Sequence, residues 1–399
     1  MRFNLWEDCN RVPLTELLSF VVDNRGKTVP TAPSGHKLIA TNCVTNNALF
    51  PVYEKIRYLS EETYQTWFRA HPIPGDILFV NKGTPGRVCL VPDPVDFCIA
   101  QDMIALRADE SKIYPKYLFA VLRSREIQQQ IYNTNVGDVI PHFKKQFLDQ
   151  LLIPIPERSI QESIGDLYYV LSLKAERNKK INDNLYEIVN AYYTSLFKDV
   201  ECEMTTIGNY AERIYSGGTP TTSNAAYWDG TFGWFSSGET RNRFVISTEK
   251  SITQTGIDNS STKLASKHDI VMASAGQGFT RGQTSMLLID TYVNQSVIVI
   301  HADRNILPYL FWNLANRYEE LRAISDSSSI RGSLTTKIIA AFEIPCANND
   351  VIQTFSGFAW AVIPQIENNL LENERLAALR DSLLPKLMTG EIDVSAIQL

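Results

Sequence analysis

The chain has 399 residues, 44% of them hydrophobic and 10% aromatic, with 38 Lys+Arg against 44 Asp+Glu. That length exceeds one ordinary domain and supplies apolar material for more than one core. A net charge of −6 argues against a protein that coats nucleic acid by bulk electrostatics, and no run of about 18 uncharged apolar residues offers a membrane span.

From the N-terminus, Met1-Arg2-Phe3-Asn4-Leu5-Trp6-Glu7-Asp8 lacks the apolar stretch of a secretory signal. Cysteines at 9, 43, 89, 98, 202 and 346 never fall at C-x-x-C spacing, and no H-E-x-x-H occurs. Scattered free thiols in a reducing cytoplasm fit better than a disulfide framework or a metal site. In residues 1–156 the β-branched runs Asp76–Val80 and Met103–Arg107 read as strands, and Pro115–Tyr132 as a helix. After Ile153-Pro154-Ile155-Pro156 a long helix is expected within 157–200. Its seam is Ile160, Ile164, Leu167, Leu171, Lys174, Asn178, Ile181, Leu185, Ile188 and Tyr192, alternating by four and three.

Residues 201–347 repeat the pattern, with strands at Asp269–Ala273 and Ser296–His301 and a helix at Leu307–Ile324. A second seam follows in 348–399: Ile352, Ala359, Ile363, Ile366, Leu370, Leu376, Leu379, Leu383 and Leu387. Pro364 is expected to kink that helix or reset its first turn. These last 52 residues hold seven Asp+Glu against three Lys+Arg, a poor surface for DNA and a suitable one for protein. Gly75-Asp76-Ile77 meets His268-Asp269-Ile270 in the second half. Likewise Gln101 meets Gln295, Tyr117-Leu118-Phe119 meets Tyr309-Leu310-Phe311, and Ile153-Pro154 meets Ile344-Pro345. Such matches in constant order at offsets of 191 to 194 mark a tandem duplication. Such seams can pack each helix onto its own domain or the two helices onto each other. Pairing is the preferred reading, and helices of some 37 residues reach roughly 55 Å, so a paired set is expected to hold two domains apart as a strut.

Catalytic motifs are missing. There is no P-loop and no G-x-S-x-G, and Gly276-Gln277-Gly278-Phe279-Thr280-Arg281-Gly282 departs from the dinucleotide fingerprint in its last interval. A strand at Thr284–Ile289 should follow it, which makes a glycine-rich hairpin. Binding loops remain. Trp228 and Trp234 are expected in the core, whereas Thr240, Arg241 and Arg243 suit contact with phosphates and base edges. Ala40–Asn47, containing Asn42, occupies the equivalent place in the first half. Lys82 and Arg87 flank a Gly-Thr-Pro-Gly turn, matched by Gly278–Gly282 with Arg281. His142, Lys144 and Lys145 precede the first long helix, as Arg331 and Lys337 precede the second.

Several of these residues carry a resemblance. Ile214-Tyr215-Ser216-Gly217-Gly218-Thr219-Pro220, then Tyr227-Trp228, Trp234, Ile252-Thr253 and Gly256 resemble the specificity (S) subunit of type I restriction-modification systems. Leu384-Pro385-Lys386-Leu387-Met388-Thr389-Gly390-Glu391-Ile392 ends the chain in the same manner, and Arg25-Gly26-Lys27-Thr28 opens its first half so. His36–Leu38 departs from the family's apolar-Trp pattern. The resemblance implies an α/β (mixed α+β) fold: two globular target-recognition domains joined by two long helices pairing as an antiparallel coiled coil, a pseudo-twofold internal repeat. It implies that each domain reads half of a bipartite site in double-stranded DNA, while the helices set the spacing and dock two DNA methyltransferase (M) subunits. Restriction (R) subunits would join through the complex. No cofactor is expected on this chain, with S-adenosylmethionine and ATP on the partners. A protein–protein scaffold with two repeated binding domains is the alternative reading.

Overall fold

The computed structural model describes residues 4–24, 27–134, 141–197, 203–275, 280–327 and 333–392. They form two compact units, Met1–Asn178 with Glu372–Leu399, and Lys179–Leu371. The division passes through two long helices, α1 (Arg158–Phe197) and α2 (Asn349–Met388), rather than falling at their ends.

In the first unit a four-stranded sheet runs Leu18–Asp23, Met103–Ala108, Ile77–Val80, Val88–Leu90 in spatial order, every pairing antiparallel. A three-stranded sheet (Arg57–Leu59, His36–Ile39, Phe97–Ile99) packs over it, and Asn10–Pro13 pairs with Leu152–Ile155. Strand Ile77–Val80 is buried on both faces. Ile77 and Phe79 enter the core shared with the helices, Leu78 and Val80 the core between the sheets. Such a strand cannot alternate polar with apolar residues, hence its unbroken apolar run.

The second unit repeats this order. Ala211–Ser216, Val297–Ala302, Ile270–Ala273 and Thr284–Leu287 form the equivalent sheet, extended by Phe244–Val245. Lys250–Ile252, Trp228–Phe235, Thr291–Val293 and Lys263–Ala265 form the covering sheet. Met204–Thr206 pairs with Glu343–Pro345 as Asn10–Pro13 does with Leu152–Ile155.

Equivalent hydrogen bonds show the duplication more sharply than residue identities. Buried Asp76 accepts from Ile73 N and from Arg107, at 2.9 Å each; buried Asp269 accepts from Ser266 N at 2.9 Å and holds His301 at 2.5 Å. The Tyr117 hydroxyl donates to Pro154 O at 2.8 Å, and that of Tyr309 to Pro345 O at 2.6 Å.

The single helix expected over Pro115–Tyr132 is two, Pro115–Leu122 and Arg125–Thr134, because the Ser124 hydroxyl accepts from Ile127 N and starts a new helix. Leu307–Asn316 and Tyr318–Ser327 break likewise at Arg317. Helix α2 starts at Asn349 and runs through Pro364, which is exposed, so the proline does not reset its first turn. Among the described residues no helix is long and apolar enough to cross a membrane. Cys9, Cys43, Cys89, Cys98 and Cys346 are free thiols; Cys202 lies outside the described residues.

The long helices pair antiparallel within each unit. In the first, the start of α1 (Ile160, Ile164, Tyr168) shares a core with the end of α2 (Leu384, Leu387, Met388). Asn178 donates to Glu372 at 2.6 Å and to Asn373 at 3.0 Å, and Lys174 meets Glu372 at 3.1 Å. In the second, the end of α1 (Tyr193, Phe197) packs its rings on Phe355 near the start of α2. Asn369 donates to Asn182 at 2.7 Å, and Asn182 to Ile366 O at 3.2 Å.

The seam of α1 departs from expectation beyond Asn178. Ile181 and Ile188 are 44% and 54% exposed, while Asn182, Tyr186, Val189, Tyr193 and Phe197 are buried. A straight helix drifts about 20° per heptad, and the aromatic side chains offer more area to bury than isoleucine. Tyr186, stacked 5.7 Å from Trp312, shows the helix turned onto its own domain as well as onto α2.

The polar layer yields a stability prediction. Asn369→Leu alone strands the buried Asn182 carbonyl oxygen and is expected to cost about 1–3 kcal/mol. Replacing Asn182 as well should recover most of that, read as the urea midpoint of the second unit's transition. Equal loss in the single and double variants would show that the pair is not a mutual hydrogen-bond layer.

Candidate nucleic-acid interface

In the first unit three segments distant in sequence meet. The turn after Ile77–Val80 has Gly83 and Gly86 both at φ +88°, a backbone only glycine adopts without strain. This turn carries Lys82 and Arg87, both exposed. Gly83 N donates to Pro141 O at 2.9 Å and Phe143 N to Asn81 O at 2.8 Å, while Lys82 bridges to His142. That register brings Lys82, Arg87, His142, Lys144 and Lys145 onto two adjoining segments. Lys82, Arg87 and Lys144 make no ion pair among the described residues, whereas Lys145 holds Asp23 at 2.9 Å. The amide-rich segment joins the same edge, because Asn46 accepts from Val88 N at 2.9 Å, one residue beyond Arg87. Asn42 is exposed, with its amide nitrogen bonded to Glu54 O at 2.6 Å.

The second unit keeps the backbone scheme. Leu334 N donates to Ser274 O at 2.8 Å where Phe143 N reached Asn81, and Ser274 N reaches Ser296 O at 2.8 Å as Asn81 N reaches Asp102 at 2.9 Å. Ile270–Ala273 and Thr284–Leu287 are antiparallel neighbours; Gly276–Phe279, between them in sequence, lie outside the described residues. Lys337 is exposed on the helix Thr336–Ala340; Arg331 lies outside the described residues.

Four expectations in this unit change. Thr240 is buried and donates its hydroxyl to Ser237 O at 2.8 Å, because the 3₁₀ turn Ser237–Arg241 points it inward. Arg243 lies 4.2 Å over the Tyr186 ring of α1 and 3.9 Å from Asp183, which turns it onto the helix. Arg281, 11% exposed, pairs with Asp326. Arg241 pairs with Glu249. A cation neutralised in place must give up its carboxylate before it can hold a phosphate, so these three arginines are poorer contacts than Lys82, Arg87 and Lys144. Trp234 is buried as expected, whereas Trp228 is part-exposed and edge-on to it at 5.0 Å.

The Gly-Gly motif is a packing device. A Cβ on Gly217 would sit 1.9 Å from Val293 O, and one on Gly218 2.1 Å from the Ser261 hydroxyl. Trp234 Nε1 donates to Gly218 O at 3.3 Å, and Trp228 stands opposite Ile252. The motif residues thus converge to seat the covering sheet. Sequence reading also passed over Arg123, which donates to Thr45 O at 3.2 Å and Val88 O at 2.8 Å and so ties the amide-rich segment to the strand after Arg87. Nothing local marks such a role. No group of His, Cys, Asp and Glu that could hold a metal ion occurs among the described residues.

A family model described as the type I restriction modification DNA specificity domain matches residues 21–186 and again 200–350. The chain is 20% identical over 401 residues to the type I restriction enzyme HindI specificity subunit of Haemophilus influenzae, covering 80% of this chain and 86% of that protein. Identity to the type I restriction enzyme EcoR124I/EcoR124II specificity subunit of Escherichia coli is 28% over 222 residues, covering 51% and 54%. The fold is that of the type I restriction-modification S subunit from M. genitalium, with a TM-score of 0.60 at 16% identity over 96% of each chain.

Proposed function

This chain belongs to the type I restriction modification DNA specificity family, and from that premise we propose that each of its two domains reads one half of a bipartite site in double-stranded DNA. It is the specificity subunit, and catalysis belongs to other subunits. The observation that carries the reading is the exposed cation cluster on adjoining turns of the first unit, held by a backbone scheme that the second unit repeats. Turns of this kind can follow a phosphate backbone while neighbouring amides reach base edges. Long-range attraction from a chain of net charge −6 is weak, so the partners supply much of it.

The helices set the spacing of the half-sites and dock two methyltransferase subunits, with restriction subunits joining the assembly. S-adenosylmethionine and ATP bind to those partners in the cytoplasm, where the DNA is. Ile181 and Ile188, exposed seven residues apart and thus on one face of α1, suit a protein partner better than water. The test is a gel shift by the complex co-purified with its methyltransferase subunits, comparing specific with scrambled DNA at several salt concentrations. Preference for the specific DNA that persists as salt rises is expected; equal affinity throughout would overturn the reading.

A further inference from the structure

Two sheet edges of the second unit meet along an open cleft of about 520 Å³ lined by Arg213, Ile214, Tyr215, Lys263 and Leu264. Among the described residues, one edge is Ala211–Ser216, paired only with Val297–Ala302; the other is Lys263–Ala265, paired only with Thr291–Val293. The Tyr215 hydroxyl donates to Leu264 O at 2.8 Å and joins the two walls. Burial and the nearby Asp269 push that phenol up to about 12, so it stays protonated and adds no negative charge.

Two cations flank the ring. The Arg213 guanidinium lies 6.0 Å from its centroid and the Lys263 ammonium 5.7 Å. Neither makes an ion pair among the described residues. The carboxylates nearby are engaged elsewhere, Glu212 and Asp269 lying 3.7 and 2.5 Å from His301. Two like charges about one ring repel each other, and an external anion removes that cost. The cleft is too open to enclose a small molecule but suits a strand lying along it.

We propose that this cleft is an anion site of the second domain and takes a backbone phosphate of the bound DNA. The inference rests on the DNA-reading function proposed above. It assigns Arg213 and Lys263 to affinity and not to sequence, because a phosphate carries no base identity.

The test is the Arg213→Gln, Lys263→Gln double variant in the complex with its methyltransferase subunits, titrated on specific and scrambled DNA across salt. One lost phosphate contact should make the slope of log K against log salt shallower by about 0.9 and binding about fivefold weaker at 0.15 M salt. Both DNAs should lose affinity alike, and the melting temperature should hold because both side chains are exposed. An unchanged slope would overturn the proposal, as would loss of affinity for the specific DNA alone. Inorganic phosphate that stabilises the unmodified complex but not the variant, with equal DNA slopes, would assign the cleft to a free anion and also overturn it. If the unmodified complex fails to prefer its specific DNA, the sequence-reading function falls, while the slopes still decide the cleft.

Discussion

Inserting one heptad into each long helix, between Asn178 and Asn182 and between Asn369 and Asn373, is expected to lengthen the spacer between the two DNA half-sites and leave both half-site sequences unchanged. Seven residues add about 10.5 Å to a helix, close to three base pairs at 3.4 Å each. They also return every following side chain to within about 20° of its former face, so both seams continue. The insertion points avoid the two polar layers: Asn178 with Glu372 and Asn373 belongs to one unit, and Asn182 with Asn369 to the other. Each layer keeps its own partners, and a buried polar residue is a strong register marker in paired helices. Methylome sequencing of a host carrying the altered chain reads the outcome directly. New half-site sequences at the old spacing would show that the helices are not the ruler.

The second large effect is expected from Lys82→Gln, Arg87→Gln and Lys144→Gln together. These cations lie on adjoining segments of the first unit without carboxylate partners among the described residues, so removing them costs little folding energy. Three lost phosphate contacts should lower the salt slope by about 2.7 and weaken binding about 100-fold at 0.15 M salt, for specific and scrambled DNA alike. Arg243→Gln serves as the contrast. Because Arg243 lies on Tyr186, its loss should lower stability modestly and leave the salt slope within experimental error. If the slope responded to Arg243 and not to the triple variant, the interface would have to be redrawn on the other unit.

The cation-bearing turns of the first unit are legible in the sequence, because their cations sit at recurring places around glycines and prolines and turn chemistry is local. The second unit was read less well for an equally physical reason. Asp326 stands 45 residues from Arg281, and Asp183 stands 60 from Arg243, so nothing near either arginine announces its partner. The burial of Thr240 depends on a 3₁₀ turn that points its hydroxyl inward, and the cleft of Arg213 and Lys263 exists only where two sheet edges meet, so neither is written in the local sequence.

The sequence by itself determined the duplication, strands such as Ile77–Val80, and the presence of two long helices. Each of these is written in residue order, as period, composition or offset, which the backbone obeys locally. Tertiary structure alone decided which face α1 buries beyond Asn178, which cations meet a carboxylate, and that a Gly-Gly motif serves packing. Those outcomes depend on groups brought together from distant parts of the chain, where desolvation and close contact choose among partners that sequence spacing leaves equivalent.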